Sequence, residues 1–171
     1  MSVRSEKVQE LSSLERSLKG SPATREGLVL ANGIFDLIHV GHVRYLAGAK
    51  ESGTSLLVAV NSDASARRLK GPGRPLTPLE ERIELVAALE CVDWVTWFEE
   101  DSVGEVLRRL RPAIHAKGTD YTVESVPERA IAQALDVRTV IVGDPKHHAT
   151  SDLIRRIGLL NAAGSEGTRS G

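Results

Sequence analysis

The 171-residue sequence predicts an α/β fold, a three-layer sandwich built on a five-stranded parallel sheet. Three observations lead there. Five short apolar runs, each bounded by glycine or polar residues, have the length and continuity of strands buried on both faces. Between most of them lie longer stretches with apolar residues at helical spacing, and strands separated by helices run parallel through right-handed crossovers. The first strand stops at a glycine and restarts almost at once as a helix, which leaves free backbone N–H groups and the positive end of a helix dipole beside a ligand.

Along the chain, Val8, Leu11, Leu14 and Leu18 recur at helical spacing across Ser5 to Gly20, and Gly20-Ser21-Pro22 stops the helix. Residues 1–26 are therefore expected as a helix and linker packed on the outside of a domain spanning 27–161. Leu28-Val29-Leu30-Ala31 is the first strand and Val43 to Glu51 the helix after it. Leu56 to Val60 makes the second strand, ending at Asn61-Ser62-Asp63, whose side chains either meet a ligand at the carboxyl end of the sheet or cap their own backbone. Arg67 to Pro75 concentrates Arg67, Arg68, Lys70 and Arg74 among glycines and prolines and is expected to be a mobile basic loop. Such a loop is either simply solvated or, beside a phosphate cradle, a cover that closes on anionic ligands through Lys70 and Arg74.

Thr77-Pro78-Leu79-Glu80 has the pattern of a capping box, with Thr77 as cap and Ile83, Leu85, Val86 and Leu89 on the buried face of the helix it starts. Trp94 to Phe98 is the third strand, Ser102 to Leu110 a helix, Ala113 to Lys117 the fourth strand, Glu128 to Leu135 a helix, and Thr139 to Val142 the fifth strand. Thr150 or Ser151 caps a last helix over Asp152 to Leu160, and the small polar residues 162–171 are expected to be a disordered tail.

The chemistry concentrates in Asn32-Gly33-Ile34-Phe35-Asp36-Leu37-Ile38-His39-Val40-Gly41-His42. Gly33 and Gly41 permit close approach of backbone to phosphate, and His39 and His42, three residues apart near a helix start, can face one anion. Lys117-Gly118-Thr119-Asp120-Tyr121 closes the fourth strand on the same rim, and Lys146-His147-His148 precedes the last helix. Adjacent histidines rarely point the same way, so His147 and His148 are not read as metal ligands.

A net charge of −1 gives no field for nucleic acid, and no apolar run reaches the ~18 residues of a membrane span. The lack of a signal-peptide pattern leads us to expect a cytoplasmic protein. Cys91, the single cysteine, excludes an intrachain disulfide and is expected to be a small core residue. Trp94, Trp97 and Phe98 crowd a strand expected at a sheet edge, which suggests a homodimer.

The run Gly33-x-Phe35-Asp36-x-x-His39-x-Gly41-His42 resembles the GxFDxxHxGH motif of cytidylyltransferase-like nucleotidyltransferases. Val60 to Ser65, Arg67 to Pro72, Arg74-Pro75-Leu76, Ala87 to Val95 and Lys117-Gly118-x-Asp120-Tyr121 extend the likeness to the heptose 1-phosphate adenylyltransferase family, the nucleotidyltransferase half of ADP-heptose synthases. The family's Ser-Thr-Thr before the last helix stands here as Ala149-Thr150-Ser151. The resemblance implies a Rossmann-like sheet and transfer of AMP from ATP, with Mg²⁺, to D-glycero-β-D-manno-heptose 1-phosphate.

The roles that follow are implied in the same way. His39, His42, Lys70 and Arg74 act on the phosphates. Asn32, Gly33, Phe35, Asp36, Gly41, Lys117, Gly118, Asp120, Thr150 and Ser151 line the nucleotide, and Asn61, Asp63 and Arg82 the acceptor. Asp36 holds the loop or helps position Mg²⁺. A cytidylyltransferase acting on glycerol 3-phosphate or another phosphorylated alcohol, and a non-catalytic nucleotide-binding regulatory module, are the alternatives.

Overall fold

In the computed structural model, which describes residues 6–144 and 150–166, five strands form one all-parallel sheet in the order β3-β2-β1-β4-β5. The elements are α1 (Leu11–Lys19), α2 (Pro22–Glu26), β1 (Leu28–Gly33), α3 (Val40–Glu51), β2 (Ser55–Asn61), α4 (Asp63–Lys70), α5 (Leu79–Ala87), β3 (Trp94–Phe98), α6 (Gly104–Leu110), β4 (Ile114–Gly118), α7 (Arg129–Ala134), β5 (Arg138–Val142) and α8 (Thr150–Glu166). The expected three-layer α/β architecture is the observed one.

Alternation along the strands divides the core in two. Val29 and Ala31 of β1 join Leu56, Val58 and Val60 of β2 on the face covered by α3 and α5. Leu28 and Leu30 join Leu57 and Ala59 on the face covered by α1, α6 and α7. All nine of these side chains are fully buried, which explains why both central strands read as continuous apolar runs. The order reverses between β1 and β4, and in a parallel sheet that reversal opens a crevice beyond the carboxyl ends of the two strands.

Five sequence expectations are corrected, among them Leu85, expected on the buried face of α5 but 49% exposed. The first helix begins at Leu11, and Val8 instead bridges Val95 at the free edge of β3, where Val95 N donates to Lys7 O at 2.8 Å. The first four residues of the supposed basic loop, 67–70, are the end of helix α4, whose start is capped by Ser62 Oγ, accepting from Ser65 N. Arg67, Arg68 and Lys70 occupy its last turn, where cations suit the helix dipole, and Gly71 ends it at φ 91°. Thr77 does not cap α5: the helix starts at Leu79 behind Pro78, and the Thr77 hydroxyl is spent on Asp36. Finally, α8 runs to Glu166, through the first five residues of the expected tail. Among the described residues no helix is long and apolar enough to cross a membrane.

Candidate active site

The crevice at the strand reversal is a cavity of about 590 Å³ lined by the ends of β1 and β4, the start of α3 and the start of α8. Its organising segment is the loop from Ile34 to His39. Phe35 and Leu37 both take left-handed backbone angles, φ 55° and 51°, a conformation L-residues avoid unless the surroundings over-determine it. What determines it here is Asp36, between them. Its buried carboxylate accepts from Leu76 N, Thr77 N and the Thr77 hydroxyl at 2.9–3.1 Å and from Arg74 Nε at 2.9 Å. Phe35 turns under the loop and lies against Gly33, where a Cβ would stand 3.2 Å from the ring. Burial raises the Asp36 carboxyl, but the Leu76 and Thr77 hydrogen bonds and the Arg74 charge outweigh it and hold the group below its ordinary value.

The loop delivers His39 to the cap of α3. Its Nδ1 accepts from Gly41 N at 3.1 Å, while His42 Nδ1 accepts from His39 N at 3.4 Å. The two rings stack at 3.9 Å between centroids. With both Nδ1 atoms acting as acceptors, the neutral tautomer of each ring carries its proton on Nε2. Burial, then the His39 charge, lowers His42 to about 4, against an opposing effect of Asp36, so at pH 7 it is a neutral donor. Two N–H groups at the positive end of a helix are suited to the oxygens of a phosphoryl group.

The floor is a buried polar network that the sequence reading only touched through Asn32 and Lys117. Asn32 Oδ1 stands 3.1 Å from His115 Nε2 and 3.4 Å from Lys117 Nζ. Lysine has donors only, so it fixes the Asn32 oxygen toward itself, and His115 must then donate from Nε2. Burial first, then the Lys117 charge, lowers the fully buried His115 to about 3. The Tyr45 hydroxyl donates to Ala116 O at 2.8 Å, and burial pushes its pKa up. Lys117, itself buried, lies 3.6 Å from the buried Glu128; burial depresses its pKa and Glu128 partly restores it. His115, Glu128 and Tyr45 went unread; the one available signal was the alternation of His115 and Lys117 with small residues in an otherwise apolar strand.

Lys70 and Arg74 reach the cavity from α4 and the segment after it, Asp120 and Gly118 from the end of β4, and Thr150 from α8, where its hydroxyl donates to Asp36 O at 2.8 Å. Asn61 lines the cavity too, with Nδ2 donating to Ser65 Oγ at 2.9 Å. Arg82 and Asp63, expected at the acceptor, are elsewhere. Arg82 is fully buried behind the loop, bonding Thr77 O, Ile34 O, Asn61 O and the Asp63 carboxylate. A guanidinium has enough donors to gather these carbonyls, which makes it an internal brace for the cavity wall. Ser151 stands in the first turn of α8, and Lys146, His147, His148 and Ala149 lie outside the described residues.

Asp36, the carboxylate considered for Mg²⁺, has both oxygens engaged by Arg74, Leu76 and Thr77, and no group of three His, Cys, Asp or Glu among the described residues converges as a metal site. Among the described residues, none forms a cluster fit to hold a divalent ion by protein ligands alone.

Parallel strands reversing at β1 and β4, with stacked imidazoles at a helix start over the crevice, define a nucleotidyltransferase domain. Residues 30–157 match the Cytidylyltransferase-like family, and the chain belongs to it. It is 41% identical over 160 residues to the bifunctional protein HldE of Geobacter sulfurreducens, covering 94% of this chain and 32% of that protein. Against the bifunctional protein HldE of Hahella chejuensis it is 51% identical over 113 residues, 66% of this chain and 24% of the relative. The chain thus spans about a third or less of these relatives. Among solved structures, the lipopolysaccharide core biosynthesis protein of Thermoplasma volcanium superposes with a TM-score of 0.61 at 26% identity, over 70% of this chain and 98% of that one.

Proposed function

We propose that the domain transfers AMP from ATP, taken as its Mg²⁺ complex, to D-glycero-β-D-manno-heptose 1-phosphate, releasing pyrophosphate and forming ADP-heptose. The observation that carries this reading is the His39–His42 pair, stacked at 3.9 Å with both Nδ1 atoms held by backbone N–H groups at the start of α3. Such a pair is a pre-set source of two donors for charge developing at the α-phosphorus, with no reorganisation at the moment of reaction.

A phosphate oxygen of the sugar phosphate attacks the α-phosphorus, and the bond from that phosphorus to the bridging oxygen of pyrophosphate breaks. The attacking oxygen is already ionised near pH 7, so alignment and charge stabilisation carry the catalysis and no strong base is required. In this scheme His39 and His42 donate to the α-phosphoryl oxygens, and Lys70 and Arg74 attract the β- and γ-phosphates. The relatives named bifunctional protein HldE and the family resemblance at Lys117-Gly118-x-Asp120-Tyr121 support the heptose over other acceptors.

The test is pyrophosphate release with ATP or CTP against a panel including the heptose 1-phosphate, other sugar 1-phosphates and glycerol 3-phosphate. Release that requires ATP and the heptose 1-phosphate is expected. Preference for CTP with glycerol 3-phosphate would replace this reading by the cytidylyltransferase one, and no release with any pair would point to a binding module.

A further inference from the structure

Glu128 is a buried carboxylate in the wall of the cavity, which Asp36, Asp101, Asp120 and Asp144 also line. It is 3% exposed, immediately precedes α7 and lines the cavity, and its Oε2 takes no hydrogen bond from any described residue. Among the described residues its ion-pair partner is Lys117, whose Nζ stands 3.6 Å away. That ammonium also donates to Asn32 Oδ1 at 3.4 Å and stands 4.7 Å above the Tyr121 ring. The 3.6 Å separation from Glu128 exceeds the roughly 2.7–3.2 Å of a formed N–H···O bond. Among the described residues, His115 Nε2 and one N–H of Lys117 are directed at Asn32 Oδ1.

A buried pair held just beyond bonding distance has room for a third group. Whatever bonds to both must accept from the ammonium and donate to the carboxylate. A phosphate only accepts, and its charge opposes Glu128. An exocyclic amine of a base donates but does not accept from lysine. A hydroxyl does both, as does a water that a ligand hydroxyl would displace.

We propose that Glu128 is a specificity-determining residue whose Oε2 accepts a hydrogen bond from a ring hydroxyl of a bound sugar, with Lys117 donating to the oxygen of the same hydroxyl. This rests on the reading above only in that the cavity takes sugar-bearing phosphates. The hydroxyl belongs either to the ribose of the nucleotide or to the acceptor sugar, and the two are separable.

The experiment is equilibrium binding by calorimetry to the wild-type chain and to Glu128→Gln, which keeps the shape but turns its carbonyl to Lys117 and its NH₂ group to the ligand. One arm compares ATP with 2′-deoxy-ATP and 3′-deoxy-ATP; the other compares the heptose 1-phosphate with its monodeoxy analogues. Wild-type protein is expected to bind one analogue about 10- to 100-fold more weakly than its parent, and Glu128→Gln to bring that pair within about threefold, the scale of one charge-assisted hydrogen bond gained or lost. Sensitivity in the nucleotide arm assigns the hydroxyl to ribose, and sensitivity in the sugar arm alone assigns it to the acceptor; both support the proposal.

Equal binding of every parent and analogue by wild-type protein overturns it, and this holds whether or not the variant folds. So does a folded Glu128→Gln that keeps the full wild-type discrimination. Because no turnover is measured, absence of pyrophosphate release would refute adenylyl transfer while leaving this result to stand or fall separately.

Discussion

Replacing Asp36 by Asn removes one charge and one acceptor from the most heavily bonded side chain at the site. The wild-type carboxylate serves two backbone N–H groups, one hydroxyl and the Arg74 guanidinium, and it is 2% exposed. An amide keeps one oxygen and presents an NH₂ group to donors, so at least two of these bonds are lost. Hydrogen bonds to charged groups contribute about 1.5–3 kcal/mol each, and the loss is discounted because Arg74, one-fifth exposed, can turn to water, leaving a destabilisation of about 2–4 kcal/mol. In a chain of this size that lowers Tm by roughly 5–15 °C.

The assay is urea unfolding of both proteins across pH. The folded Asp36 pKa lies below the unfolded value of 3.8, so its stabilisation is fully present above that value and is lost as pH falls through the folded pKa. The difference between wild type and Asp36→Asn should therefore be constant from pH 5 to 7 and shrink below pH 3.8. Equal stability at pH 7, or a gap that widens in acid, would refute the clamp.

His39→Ala and His42→Ala should each lower kcat by about 10²-fold or more with a smaller effect on nucleotide binding, measured by single-turnover kinetics and calorimetry. Because His42 titrates near 4 when folded, its neutral form gives stability that is present above pH 6.5 and lost as pH falls from 6.5 toward 4, a slope that His42→Ala should flatten. Lys70→Ala should raise KM for the triphosphate and leave the urea midpoint within error, since this side chain sits at the exposed end of α4. Arg82→Met, which strands three carbonyls and the Asp63 carboxylate, should cost about 3–5 kcal/mol in urea unfolding. If transfer is direct, as proposed, incubation with α-labelled ATP without acceptor should leave no label on protein, and Cys91→Ala should retain activity.

The sheet was legible because Leu28, Leu30, Leu56 and Val58 belong to strands buried on both faces, and such runs announce themselves without any partner. The loop from Gly33 to His42 was legible as a strand-to-helix turn for another reason: glycines and histidines at fixed offsets carry their own geometry. Brace residues were not. The resemblance places Arg82 at the acceptor, and only the fold shows four internal acceptors meeting around it. Thr77 was misread because the same hydroxyl suits a helix cap and a carboxylate 41 positions away, and local pattern cannot weigh the distant one. Arg67 to Lys70 had the cations and following glycine of a helix end, yet the neighbouring prolines made them resemble a loop.

The bridge between Val8 and Val95 has a consequence for how copies of this chain meet. β3 is an outer strand, and an outer strand is a template on which a foreign strand can append itself. Here that slot is already filled from within, with Gln9 N donating to Val95 O and Val95 N to Lys7 O. A second copy cannot continue the sheet by backbone pairing at Val95. Association on this side has to run through side chains, and the half-buried indoles of Trp94 and Trp97 are the apolar surface β3 has left for it, since Phe98 is committed to the core.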